Sequence, residues 1–266
     1  MHVGRYGPEF ALIAFTAMVS VLGFWELFFG RDAAPQPHHF LHLATALLWL
    51  AVLAVQLRAV ARRDFAAHRR VGLVLLLAAP LVVATTAMLS VHSAAKGLAS
   101  GQGDRLIIQN VMVTAELALL LLLAFWLKRR RALHGALLIS TAILFLGIAL
   151  FFALISFAPP FRIEGPETFY RFGLVAITGQ GICLGIGLLF FLRDRRHGWP
   201  FLLAGACFTL NDGIKWLLTS QGLIDPLTRL VGTQDRTVSF VTVFMLMGLL
   251  LAALVLPSAR ASASRS

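Results

Sequence analysis

Histidines are the residues of this sequence with the most evident chemistry. There are eight of them in 266 residues, in a chain that is 59% hydrophobic and 13% charged. His38, His39 and His42 open one long apolar stretch, and His92 closes the next. The four-residue step from His38 to His42 puts both on one helix face, so that His38, His39 and His42 are candidate ligands for zinc or copper. Alternatively, His42 and His92 on facing antiparallel helices are candidate axial ligands of one haem b.

A second pair of histidines opens two other apolar stretches. His68 and His134 follow basic turns and are expected at one level near the other membrane surface. The helix from His68 to His92 would be ~36 Å long, so these two cannot share a ligand. The pattern therefore predicts two sites, one per leaflet, which would form a transmembrane electron path. The alternative is that histidines in the headgroup region need no ligand.

A further set of polar residues lies inside apolar stretches. Glu116 lies ~16 Å along its helix from Arg105, and Gln180 has a similar depth. Asp212 and Lys215 are three residues apart, so they share a helix face and are expected to pair. Such groups are expensive in lipid and mark ion or substrate paths by default, which makes Glu116, Gln180, Asp212 and Lys215 candidates for a transport path. Glu116 is alternatively a packing residue hydrogen-bonded to a neighbouring helix.

Composition indicates the environment in which these residues work. The mean hydropathy is +0.83, and a soluble domain would be about a quarter charged. The net charge of +11 comes from short basic clusters between apolar stretches, which is typical of membrane flanks and not of a nucleic-acid partner. Cys183 and Cys207 form no disulfide framework and no zinc motif. The expected partners are the lipid bilayer and, in an assembly, other membrane subunits.

The elements that position the polar residues are predicted to be membrane-spanning helices. A span needs about 20 apolar residues, and eight stretches qualify. They are residues 9–29, 38–60, 70–92, 105–127, 135–157, 168–192, 199–219 and 237–257. The predicted fold is thus an all-α polytopic transmembrane helix bundle, with one domain over 1–257 and a disordered tail over 258–266. The span at 199–219 is the most polar of the eight.

Basic residues predict the orientation of the bundle. The loops after spans 2, 4 and 6, together with the two termini, carry 15 Lys and Arg residues, against 7 on the opposite side. Positive charge accumulates in cytoplasmic loops. Both termini are therefore expected in the cytoplasm, and the protein in a bacterial inner membrane.

One run of motifs resembles a known class of proteins. It comprises His39-x-x-His42, Trp49, Gln56, His68-Arg69-x-x-Gly72, His92 and His134-Gly135. This plan resembles a broad set of uncharacterised bacterial multi-spanning inner-membrane proteins, which are similar in outline to four-helix b-type cytochrome domains. The resemblance covers residues 38–157 and implies His42, His68, His92 and His134 as haem ligands. Span 4 departs from the two-haem pattern, because it offers Gln109 and Asn110 but no histidine.

Three functions follow from these patterns. The first is a haem- or metal-binding electron-transfer protein or an accessory protein of a respiratory complex, which requires His42 and His92 to face each other across a haem-sized gap. The second is a transporter-like bundle, which requires its polar residues to converge on one cavity with interrupted helices at mid-depth. The third is a passive assembly subunit, which predicts no cavity. No nucleophile–base or His-Glu-x-x-His motif assigns a catalytic residue, so enzyme activity stays open.

Overall fold

The computed structural model describes residues 6–31 and 33–256, and over these residues the chain is helical without β-strands. The predicted disordered tail lies outside the described residues. The helices are α1 (Gly7–Gly23), α2 (Trp25–Phe29), α3 (Pro37–Ala61), α4 (Phe65–Ser100), α5 (Ile107–Trp126), α6 (Arg131–Phe157), α7 (Arg171–Arg193), α8 (Trp199–Ser220), α9 (Ile224–Gly232) and α10 (Arg236–Val255). Two short 3-10 turns, Pro159–Phe161 and Pro166–Thr168, connect α6 to α7. The all-α prediction is confirmed.

Within the part of the chain that the structure describes, eight helical segments are long and apolar enough to cross a membrane, as predicted. Helices α1 and α2 together form the first of them, and the short α9 is not one. The most polar is again α8, whose hydropathy of 1.2 is the lowest of the eight. Helix α4 is longer than expected: its 36 residues extend over ~54 Å, against a hydrocarbon core of about 30 Å. This length carries α4 beyond the lipid and brings Lys96 to the bundle surface.

Helix α6 is the centre of the bundle. It packs against α1, α3, α5, α7 and α8, whereas α4 packs against α3, α5, α9 and α10. The predicted antiparallel contact of spans 2 and 3 is present as the α3–α4 pair. Helices α7 and α8 approach closely because Gly187 and Gly205 lack side chains: a Cβ atom there would collide with the backbone of Phe201 and Cys183.

The motif residues of α3 are structural contacts. His42, Trp49 and Gln56 recur every seven residues and therefore share one face of the helix. The fully buried Trp49 donates from Nε1 to Thr141 Oγ1 on α6, at 2.9 Å. Gln56 Nε2 donates to the carbonyl oxygen of His68 at 3.1 Å. These bonds fix α3 against α6 and close the α3–α4 hairpin, because lipid offers no competing partner.

The bundle has two unlike ends. Short turns at residues 62–64, 127–130 and 194–198 join helix pairs at one end, which we call the hairpin face. The longer connections, around residues 30–31 and 33–36, 101–106, 158–170 and 221–235, lie at the other end, the loop face. At the hairpin face, the hydrogen bond with the His197 side chain lowers the pKa of the Asp194 carboxyl. The sequence predicts that the hairpin face lies in the cytoplasm.

Cysteine labelling tests that orientation. Gln102 on the loop face and Arg195 on the hairpin face are both exposed. A membrane-impermeant maleimide should label Gln102→Cys in intact cells and Arg195→Cys only after permeabilisation. The unsubstituted protein is the background control, because Cys183 and Cys207 are buried. The reverse pattern would show that the basic-loop rule fails here.

A candidate ligand cavity inside the bundle

A cavity of about 550 Å³ lies within the bundle, and all of α1 to α8 contribute to its wall. This volume is within the range of small-molecule sites. The exposed side chains of Glu26 and Lys96 border it at the loop face. Ile177 on α7, which is 67% exposed on the lipid-facing surface, also borders it. The wall of the cavity therefore reaches both the loop face and the lateral surface of the bundle.

Aromatic residues make up much of the apolar wall. Phe151 contacts Phe152 and Phe172 edge-on, at centroid distances of 5.5 and 5.0 Å, and all three border the cavity. Phe208 lies above Gly147, where a Cβ atom would collide with the phenyl ring. Rings in mutual contact hold one another in place, so this wall is a fixed apolar surface.

One polar side of the cavity is a carboxylate held by two amides. Gln109 Nε2 on α5 donates to Asp212 Oδ1 at 3.1 Å, and Gln180 Nε2 on α7 donates to Asp212 Oδ2. Asp212, Gln109 and Gln180 all border the cavity. Asp212 lies ~12 Å from the end of α8 at Ser220, where an unsatisfied carboxylate would be costly. The three side chains join three helices around one acceptor.

Glu116 belongs to the same network but lies behind the cavity wall. The fully buried Asn211 donates from Nδ2 to Gln109 Oε1 at 3.2 Å and to Glu116 Oε2 at 3.4 Å. Cys207 on α8 makes a further side-chain hydrogen bond to Glu116. Glu116 does not border the cavity. The geometry therefore fits its packing interpretation better than a place on the path.

Lys215 borders the cavity but does not make the predicted contact. Its Nζ donates to the carbonyl oxygen of Arg105 at 2.9 Å, and Asp212 and Lys215 form no ion pair within 4.0 Å, although both are described. The i,i+3 spacing allowed the pair, but the two amides already hold the carboxylate. Of the four predicted path residues, Gln180, Asp212 and Lys215 meet at the cavity.

The other polar side is a cluster of histidines at the loop face. The ring centroids of His38 and His92 are 4.1 Å apart, and those of His39 and His92 are 5.1 Å apart. His38, His39 and His92 each offer one ring nitrogen within 4.8 Å of the others. Arg236 Nη1 approaches Nδ1 of His38 and of His92 at 3.4 and 3.3 Å. We call His38, His39, His92 and Arg236 the basic cluster.

His42 lies one turn deeper than this cluster, and its contacts differ from those predicted. Its Nδ1 is 3.3 Å from Thr85 Oγ1 on α4, and Thr45 Oγ1 is 2.9 Å from the same hydroxyl. Among the described residues, the three histidines whose ring nitrogens lie within 4.8 Å of one another are His38, His39 and His92. The predicted ligand His42 is not one of them. The zinc or copper prediction for His38, His39 and His42 stays a prediction.

The predicted haem fits the described geometry poorly at the loop face. His42 and His92 both border the cavity, but helices α3 and α4 touch directly at the Thr45–Thr85 contact. At the depth of Thr45 and Thr85 the two helices therefore leave no gap for a porphyrin, which a bis-histidine haem needs between its two axial ligands. Haem ligation by His42 and His92 stays a prediction.

The histidines of the hairpin face form no comparable cluster among the described residues. His134 Nδ1 donates to the carbonyl oxygen of Ala124 at 2.8 Å, which leaves Nε2 as the lone-pair nitrogen that a metal ligand needs. Nδ1 of His68 is buried without a partner, and the two rings lie close enough to interact electrostatically. Neither residue borders the cavity. The second predicted haem stays a prediction.

Comparisons with known proteins do not identify the chain. No protein-family model, no curated protein and no solved structure matched it.

The network around Asp212 gives a direct test of the site's construction. Asp212→Asn replaces an acceptor oxygen by an amide donor that faces the donors of Gln109 and Gln180, so one buried hydrogen bond is lost. We expect the protein to be destabilised by about 1–3 kcal/mol, measured as the loss of thermal stability in lipid nanodiscs. Asp225→Asn is the matched control, because Asp225 is exposed and its carboxylate bonds to no other described residue; it should change stability less. Equal effects would show that the Asp212 contacts contribute little.

Proposed function

We propose that this integral membrane protein binds a small amphiphilic molecule in the cavity and moves or presents it within the membrane, as a transporter-like bundle. The observation that carries the proposal is the cavity of about 550 Å³ with polar groups on two sides and an aromatic wall between them. Small-molecule sites have this composition: mostly apolar surface with a few placed polar groups.

The position of Ile177 on α7, in the cavity wall and at the lateral surface, favours a molecule that partitions into lipid. A water-soluble ligand would need only the opening beside Glu26 and Lys96, whereas the exposed Ile177 brings the cavity to the lipid-facing surface. An amphiphile could enter by that route with its chain still in an apolar environment. This is why we propose an amphiphile and not a hydrophilic solute.

Two alternatives agree less well with the described bundle. A passive assembly subunit was expected to contain no cavity. An inverted-repeat transporter was expected to have helices interrupted at mid-depth. Within the described spans, the breaks lie near the loop face, at Phe24 between α1 and α2 and at Phe169 and Tyr170 before α7. Helix α4 continues past Pro80. We therefore keep the shared cavity that the transporter interpretation requires, but not a mechanism that depends on helices interrupted at mid-depth.

Filling the cavity tests the proposal. Gly179 is buried on the cavity wall, and a Cβ atom there would meet no atom within 4 Å. Gly179→Phe should fill the space without a backbone collision. Gly181→Phe is the matched control: it makes the same change two residues away, at an exposed position that also has open space.

The melting temperature of purified protein in phosphatidylcholine nanodiscs would be measured in the presence of decanoate, decyltrimethylammonium or decanol. A ligand at 100 times its dissociation constant stabilises the protein by about 2.7 kcal/mol. We expect at least one amphiphile to raise the melting temperature of the wild type and of Gly181→Phe, but not of Gly179→Phe. If none does so, or if all three proteins respond equally, the cavity is not the binding site.

The electron-transfer prediction has a separate test. An absorption spectrum of haem-supplemented, dithionite-reduced protein should show a sharp b-type band if haem is held. His42→Ala and His92→Ala should each abolish that band if these two are the ligands. A featureless spectrum from folded protein would remove the haem prediction and leave the cavity proposal unaffected.

A further inference from the structure

We propose that the basic cluster binds the anionic head group, a carboxylate or a phosphate, of the amphiphile whose apolar part occupies the cavity. This inference rests on the proposed function and names the chemical class of its ligand. It follows from the hydrogen-bonding roles of the histidine nitrogens, from the charges around them and from their position at the edge of the cavity.

The partners of the three rings determine which nitrogen carries the proton. A guanidinium only donates hydrogen bonds, so the Nδ1 atoms of His38 and His92 that face Arg236 are acceptors. His39 Nδ1 likewise accepts from the backbone N–H of Gln36, at 2.9 Å. A neutral imidazole that accepts through Nδ1 carries its proton on Nε2. All three rings therefore offer Nε2–H donors.

These donors lack an acceptor among the described residues. His38 Nε2 is buried without a hydrogen-bond partner, and a buried unpaired donor is costly. No described carboxylate forms an ion pair with the cluster. The nearest in sequence, Asp235, accepts from the backbone N–H of Val238 at the start of α10. A ligand that only accepts hydrogen bonds would satisfy the cluster.

Charge favours the same ligand. Arg236 belongs to the cluster, and Lys96 lies close enough to His39 and His92 to interact with both electrostatically. His39, His92 and Lys96 also border the cavity, whereas His38 and Arg236 reach it only through their contacts with His92. An anion bound among them would have its apolar chain directed toward the aromatic wall. Charge-assisted hydrogen bonds of this kind are about twice as strong as neutral ones.

A metal ion is the main competing occupant, and the cluster suits it less well. A histidine that binds a metal through Nε2 donates its Nδ1–H to a carboxylate, a carbonyl or water. Here Nδ1 of His38 and of His92 faces a guanidinium, which cannot accept. Arg236 and Lys96 would also repel a divalent cation. The arrangement is that of an anion site, and zinc binding is a distinct outcome of the test.

The test compares an anionic and a neutral amphiphile of equal chain length. Binding of radiolabelled decanoate and decanol would be measured on protein in phosphatidylcholine nanodiscs, with empty nanodiscs subtracted and no polyhistidine tag on the protein. We expect decanoate to bind the wild type at least about tenfold more tightly than decanol. Arg236→Gln should remove this preference, and Arg236→Lys should retain part of it. Arg229→Gln, an exposed arginine of the same face, should leave it unchanged.

The outcomes separate the two proposals. If decanoate and decanol bind equally and Gly179→Phe abolishes both, the cavity proposal stands and the anion inference is wrong. If neither binds, both are wrong. If zinc binds, His92→Ala abolishes that binding and Arg236→Gln strengthens it, the cluster is a metal site and the anion inference is overturned. Phosphatidylglycerol in the nanodiscs should displace decanoate if the natural anion is a lipid head group, and leave it bound if the anion is a small soluble amphiphile.

Discussion

The structure depends on one constraint: lipid provides no hydrogen-bond partners, so every polar group inside the bundle needs one from the protein. Asp212 shows how this is met. Its carboxylate takes one amide donor from α5 and another from α7, and Asn211 extends the network to Glu116. The same requirement couples Trp49 to Thr141 and Gln56 to the hairpin. Polar contacts thus determine which helices are neighbours.

The cavity differs from the rest of the bundle because polar groups border it that helix packing does not require. Packing alone would be served by apolar residues, which cost nothing in lipid. Instead His39 and His92 of the basic cluster border the same cavity as Asp212, Gln109 and Gln180. The adjacent His38 does not border the cavity itself, and its Nε2 is left without a partner. Unpaired donors beside an open apolar volume are understandable if a ligand completes them. An amphiphile with an anionic head group would accept hydrogen bonds from these donors through its head group and fill the apolar volume with its chain.

The sequence predicted the helical class and the eight spans well, because a span is a local property of about 20 apolar residues. It also singled out Gln180, Asp212 and Lys215, which all border the cavity, since a polar residue inside an apolar stretch is visible without a structure. It missed Gln109 as a partner of Asp212, Asn211 as the bridge to Glu116 and Arg236 as a member of the cluster. Those roles depend on which helices meet, and residues 95 to 198 positions apart in sequence carry no local signal of contact. The expected Asp212–Lys215 pair failed for the same reason: other helices supplied the better partners.

The most direct measurement is native mass spectrometry of the protein released gently from its own membrane. We expect a small amphiphile, carried over from that membrane, to be bound to the wild type and to Gly181→Phe and to be absent from Gly179→Phe. An adduct retained by all three proteins, or found on none of them, would contradict the claim that the cavity is a ligand site.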